Sequence, residues 1–137
     1  MAEEFSYTKE ELESLYELAR MYYEMGYFVP AEKIFNGLSA IDGEYTPAEL
    51  GLGLLKLERG LYKESAAHFR SSLSASQSEF QAKLGLAAVY IAQSEFSRAQ
   101  TVLKQMEKAA EQTAGLDSDL KKLFEALSLR CKSAEAS

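Results

Sequence analysis

Apolar and polar positions follow one another at helical spacing along nearly the whole chain, broken at short turns. The pattern predicts helices over residues 9–25, 28–41, 47–59, 62–75, 79–93 and 96–112, and a seventh over about 117–133. In the seventh, Leu116, Leu120, Leu123, Phe124 and Leu127 make one apolar stripe, with Lys121, Lys122 and Glu125 opposite. Helix starts are also marked. Thr8 with Glu11, Thr46 with Glu49 and Ser78 with Gln81 have capping-box spacing, and Pro47 stands at a favoured first position. Helices 47–59 and 79–93 depart from a simple stripe. Their segments AELGLGLLKL and KLGLAAVYIA are apolar nearly all round. A helix of that kind needs cover on every side, and a chain of 137 residues is too small to cover both.

The pattern also repeats. Gly26, Gly60 and Ser94 lie 34 residues apart. Each is followed two residues on by an aromatic (Phe28, Tyr62, Phe96), then by a small residue (Ala31, Ser65, Ala99) and a large apolar one (Phe35, Phe69, Leu103). Leu38, Ser72 and Met106 come three residues later. Upstream, Leu18-Ala19, Leu52-Gly53 and Leu86-Ala87 are in register, followed by Tyr22, Lys56 and Tyr90. Lys56 interrupts an apolar column and is expected to lift its ammonium out on its stem. A fixed period of this length is the signature of stacked helix pairs. The small residues allow close approach within a pair. The glycines suit a left-handed turn that ends the first helix.

The combination of leucine plus small residue, tyrosine, glycine turn, aromatic, alanine and phenylalanine resembles the tetratricopeptide (TPR) repeat. That resemblance implies an all-α fold, a right-handed α-α superhelix of three TPR helix pairs plus a C-terminal capping helix. The expected units within a single domain, 1–137, are 12–45, 46–79, 80–113 and a cap over 114–133. The usual tryptophan is replaced by Leu15, Glu49 and Lys83, and the expected proline by Gly43, Gln77 and Glu111. In such a superhelix the first helix of each pair lines the concave surface. The positions facing it would be Tyr16, Arg20 and Tyr23, then Leu50, Leu54 and Leu57, then Leu84, Ala88 and Ile91. An apolar channel of that kind marks a binding groove, unless the seventh helix or a second copy folds into it. The carboxylate clamp of TPR heat-shock co-chaperones would need Lys, Asn and Arg where this chain has Tyr16, Arg20, Gly51, Gln81 and Gly85. That function is not expected.

Composition narrows the remaining classes. Lys and Arg number 15 against 21 Asp and Glu, a net charge of −6. A nucleic-acid partner would call for a basic patch to replace phosphate counterions. No apolar run reaches membrane-spanning length, and the acidic start MAEEFSYTKEE has no apolar secretory core. Nucleic acid and membrane insertion are therefore not expected, and a reducing, cytoplasmic setting is. One cysteine, Cys131, and one histidine, His68, leave no basis for a metal centre or a cofactor site, and no catalytic constellation stands out. An enzyme is not expected. His68 reads as a solvated surface residue, Asp117 and Asp119 as a helix start, and Cys131 as an apolar residue of the last helix. Glu3, Glu4, Glu10, Glu11 and Glu13 read as a helix start favoured by the dipole. Eight tyrosines and no tryptophan are less ordinary. Tyr16, Tyr22, Tyr23 and Tyr27 crowd one region. Tyr22 belongs to the core by register, while Tyr16 and Tyr23 would present a ring with a polar tip to a groove.

A longer stretch is more specific. Leu15-Tyr16, Leu18-Ala19, Tyr23, Gly26, Phe28, Ala31, Phe35, Leu38, Asp42 and Leu50-Gly51-Leu52-Gly53, with the closing LKKLFEALSLRCK, resemble the class II chaperones of bacterial type III secretion, the translocator chaperones. The resemblance spans about 12–133. It implies a cytoplasmic bacterial chaperone whose concave groove holds an apolar segment, extended or helical, of a secreted translocator. Tyr16, Tyr23 and Phe28 fall where the family has groove aromatics, and Arg20 stands where it often has another. About ten residues precede the first helix, where the family has a further segment used for dimerisation, so a homodimer by that route is disfavoured. A general TPR scaffold, or a short TPR chaperone of needle or export-gate components, is the alternative.

Overall fold

The structure is a computed structural model. It describes residues 6–75, 79–112 and 125–133, with side chains throughout except at 108–112. Six helices follow in order: α1 (Lys9–Glu24), α2 (Phe28–Ile41), α3 (Thr46–Glu58), α4 (Tyr62–Ser72), α5 (Glu79–Ala92) and α6 (Phe96–Gln112). Residues 125–133 are helical as well, and no strand occurs among the described residues. Residues 113–124 lie outside them, and with them most of the predicted last-helix stripe, Leu116 to Phe124, and both Asp117 and Asp119.

Each helix packs on the next. The first helices of the pairs, α1, α3 and α5, also touch one another in a row. The 34-residue register explains why. Its small positions Ala19, Gly53 and Ala87, and Ala31, Ser65 and Ala99, are all buried, so paired helices meet closely. Ser65 stands where the other repeats have alanine, and its hydroxyl donates to the Gly53 carbonyl at 2.7 Å, which satisfies it inside the pair. Three apolar clusters result. One joins α1, α2 and α3 around Phe35, Leu38, Leu52 and Leu55. A second joins α3, α4 and α5 around Phe69, Leu86 and Val89. The third joins α5 and α6 around Leu103 and Met106, where Cys131 and Leu127 of segment 125–133 pack against it. Leu52 and Leu86 are buried against the preceding pair, whereas Leu18, their counterpart on α1, is 39% exposed.

The turns inside the pairs repeat too. Gly26 and Gly60 have φ of 85° and 75°. Tyr27 N–H donates to the Tyr22 carbonyl at 2.8 Å and Gly26 N–H to Tyr23 at 3.0 Å, the two bonds of a Schellman ending; Leu61 and Gly60 repeat them on Lys56 and Leu57. Glu95 and Ser94 do the same on Tyr90 and Ile91, but here a serine holds the left-handed turn, at φ 62°. That conformation costs an L-residue about 1–2 kcal/mol, against about 0.5–1 kcal/mol of extra chain entropy that glycine gives up on folding. Ser94→Gly is therefore expected to raise stability by roughly 0.5–1 kcal/mol, read as a higher urea midpoint at unchanged slope.

Several local expectations need correcting. The capping box of Thr8 and Glu11 forms, with both bonds at 3.1 Å. The one expected at Thr46 does not. Thr46 is itself the first residue of α3, and Glu49 turns away to accept from the Ser39 hydroxyl at 2.9 Å and to pair with His68 at 2.7 Å. His68 is accordingly half-buried between α3 and α4 instead of solvated. Ser78 lies outside the described residues. Lys56 does not lift its ammonium into water. It is 17% exposed and lies 3.4 Å from Glu32 and 3.7 Å from Glu64, tying α3 to both α2 and α4. Helix α4 ends at Ser72, three residues before the predicted end. Ser71, Ser72 and Ser74 each bond back to a carbonyl three or four residues earlier, and Leu73 N–H reaches Arg70, tightening the last turn.

Candidate functional site: a groove along the first helices of the pairs

The row α1, α3, α5 leaves one concavity of about 430 Å³ between its members. From α1 it is lined by Tyr16, Arg20, Tyr23 and Glu24, from α3 by Leu50, Gly51, Leu54 and Leu57, and from α5 by Gln81, Leu84, Gly85 and Ala88. Eight of the ten expected groove positions are thus brought together: Tyr16, Arg20, Tyr23, Leu50, Leu54, Leu57, Leu84 and Ala88. The other two stand elsewhere. Phe28 opens α2, half-buried, with its ring tilted against Tyr23 at 5.5 Å between centroids, so it props a lining ring from behind. Ile91 is buried in the cluster with Ala99, Leu103 and Met106. It keeps the register of Tyr23 and Leu57, but at this last pair the position falls in the cluster that Cys131 and Leu127 of segment 125–133 complete.

The floor of the concavity comes from residues that the apolar pattern alone assigns to the core. Phe35 of α2 and Phe69 of α4 reach it from the second layer of helices. They can do so because Gly51 and Gly85 leave gaps: a Cβ at either would lie under 3.0 Å from the ring of Phe35 or Phe69 respectively. Gly53 makes a similar gap for Phe69 within its own pair. The signal was in the register. Each ring precedes its glycine by sixteen residues, and both pairs, Phe35 with Gly51 and Phe69 with Gly85, are separated by the 34-residue period.

The aromatic wall is held at several points. The Tyr16 ring lies 6.0 Å from Phe35 and 6.3 Å from Tyr45. The Tyr23 hydroxyl donates to Glu58 Oε1 at 3.4 Å, linking α1 to α3. Burial, then the Glu58 charge and hydrogen bond, push the Tyr23 phenol up to about 12. Burial also raises Tyr16, with Arg20 opposing and Glu17 adding, and raises Tyr45, with Tyr16, Glu13 and Glu17 adding. All three are neutral phenols near pH 7 that present an apolar ring with a polar tip; the Tyr23 proton is already given to Glu58, which leaves its hydroxyl oxygen to accept. Arg20 lies 3.3 Å from Glu24 and 3.9 Å from Glu17, on the exposed side. Among the described residues no group of three or more His, Cys, Asp or Glu is placed to hold a metal ion, and no helix is long and apolar enough to cross a membrane.

No protein-family model matches the chain, and no curated protein sequence does. Solved structures do match. The type III secretion translocator chaperone SycD of Yersinia enterocolitica, in an alternative dimer, superposes with a TM-score of 0.80 at 21% identity over 94% of this chain and 95% of that one. SycD in complex with a peptide of the translocator YopD gives a TM-score of 0.77, at the same identity and coverage. PcrH of Pseudomonas aeruginosa gives 0.73 at 22% identity, over 94% and 92% of the two chains. At that identity the likeness speaks to architecture: the chain has the all-helical, TPR-like fold of the translocator chaperones over most of its length.

Proposed function

We propose that the groove holds an apolar segment of a type III secretion translocator in the bacterial cytoplasm and shields it from aggregation until export. The observation that carries this reading is the convergence of Tyr16, Tyr23, Leu50, Leu54, Leu57, Leu84 and Ala88 on one concavity. Leu54 is 41% exposed there. Side chains of this kind cost free energy when left in water, and a groove lined by them is stabilised by an apolar occupant. The fold supports the same reading, since a protein of this architecture has been crystallised with a peptide of its translocator. The chain acts by binding, with no chemical step.

The test is co-expression with the translocator of the same secretion system, followed by titration of the purified pair. The chain is expected to keep the translocator in the supernatant. Leu54→Asp places a carboxylate on the groove wall and is expected to weaken binding at least about tenfold, with helicity by circular dichroism unchanged because the site is partly exposed. Undiminished affinity in that variant would remove the groove from the reading. A scaffold would instead bring down an already folded assembly and leave the translocator insoluble.

A further inference from the structure

The groove is not electrically neutral. Because α1, α3 and α5 run side by side in the same direction, their C-terminal ends meet at one end of it. Helix C-termini carry partial negative charge. The last turns of α1 and α5 hold no basic residue to offset it. The basic residue in the last turn of α3, Lys56, is directed to Glu32 and Glu64. Arg59, just past α3, is held 2.6 Å from Glu32. At this same end Glu24 lines the groove, and Glu58 accepts from the Tyr23 hydroxyl. The cation among the groove-lining residues, Arg20, is paired with Glu24 at 3.3 Å, so the negative charge left over at this end is that of Glu58 and of the helix ends. The field is felt at Tyr23, where after burial the Glu58 charge and hydrogen bond help to raise the phenol, whereas at Tyr16, farther from this end, Arg20 opposes Glu17 and outweighs it.

Resting on the groove reading above, we infer that the segment held there carries a lysine or arginine beside its apolar residues, seated where Tyr23, Glu24 and Glu58 meet. The chemistry fits both halves of such a side chain. Its methylene stem lies along the Tyr23 ring and Leu57, and its cation faces the carboxylates and the helix ends. An acidic residue at the same place is repelled. Apolar burial sets the affinity and the charged end sets the direction in which the segment lies, since only one orientation brings its cation to this end.

The test uses three synthetic peptides of about nine residues, the length of an extended groove ligand. Leucine and valine alternate with serine, and the termini are acetylated and amidated. The three differ only at one flanking residue: lysine, glutamine or glutamate. Anisotropy titrations at about 20 mM salt are expected to show the lysine peptide binding roughly threefold to tenfold more tightly than the glutamine peptide, and the glutamate peptide more weakly than both. The lysine-to-glutamine ratio should shrink toward one at about 300 mM salt, and also in Glu58→Gln, whose amide oxygen still accepts from Tyr23. Equal binding of the lysine and glutamine peptides would overturn the cation site while leaving the groove standing. An undiminished lysine preference in the Glu24→Gln, Glu58→Gln double variant would place the attraction elsewhere on the acidic surface and overturn it too. Binding of none of the peptides would overturn the groove reading, and the cation site with it.

Discussion

Phe69→Ala is expected to cost about 3–5 kcal/mol of stability, the range for truncating a buried phenylalanine, and to lower the urea midpoint at unchanged slope. The ring is 1% exposed and is the largest side chain of the cluster shared by α3, α4 and α5. It fills gaps left on two sides, at Gly53 within its own pair and at Gly85 in the next. Glycines have no side chain with which to close over a lost ring, so the cavity cannot collapse from those directions. One effect works the other way. The ring also floors the groove, so water can enter the space from that side, which places the loss nearer 3 than 5 kcal/mol. The site therefore joins stability to function. The same substitution deepens the groove floor, so under the proposed function translocator binding should fall along with the midpoint. A loss below about 1 kcal/mol would mean that the second and third pairs do not meet across this ring.

How far the sequence carried this picture depended on the physical scale of each feature. The six helices are legible because a helix needs many residues in phase, and a 34-residue period triples the signal. Predicted and observed ends differ by at most a residue, except where Ser71, Ser72 and Ser74 end α4 early by hydrogen bonds that no apolar pattern encodes. The concave positions on α1 and α3 are legible for the same reason. Ile91 has the same register as Tyr23 and Leu57 but is buried in the cluster shared with Cys131 of segment 125–133, a contact between distant segments that the repeat period does not encode. Polar partners were the least legible. Glu49 looked like a cap and Lys56 like a lifted ammonium, but each finds a half-buried partner on another helix. Such a partner is set by packing across pairs and leaves no local spacing to read. Phe35 and Phe69 were assigned to the core correctly. Their second role, flooring the groove, emerges only once Gly51 and Gly85 are placed beside them.

That second role makes Gly51→Ala the sharper experiment on how successive pairs stack. Alanine in a helix is favoured over glycine by about 1 kcal/mol, so the naive expectation is a gain. Gly37 provides the control. It lies within α2, and a Cβ there meets nothing within 4 Å, so Gly37→Ala should stabilise by roughly 0.5–1 kcal/mol. At Gly51 the new methyl would fall under 3.0 Å from three atoms of the Phe35 ring. That ring is 2% exposed and is held by Tyr16 on its other side, so it has little room to move. Overpacking of this kind costs about 1–3 kcal/mol, which exceeds the propensity gain. Gly51→Ala is therefore expected to lose about 1 kcal/mol or more, opposite in sign to Gly37→Ala. The cause can be isolated by a double-mutant cycle with Phe35→Leu, since leucine already occupies the same register position at Leu103. Once the ring is gone, Gly51→Ala should become neutral or favourable, a coupling of at least about 1 kcal/mol between residues on different helix pairs. A gain for Gly51→Ala in the wild-type background, equal to that at Gly37, would mean the ring does not occupy the gap. Of the second layer of helices, only α4, through Phe69 at Gly85, would then floor the groove.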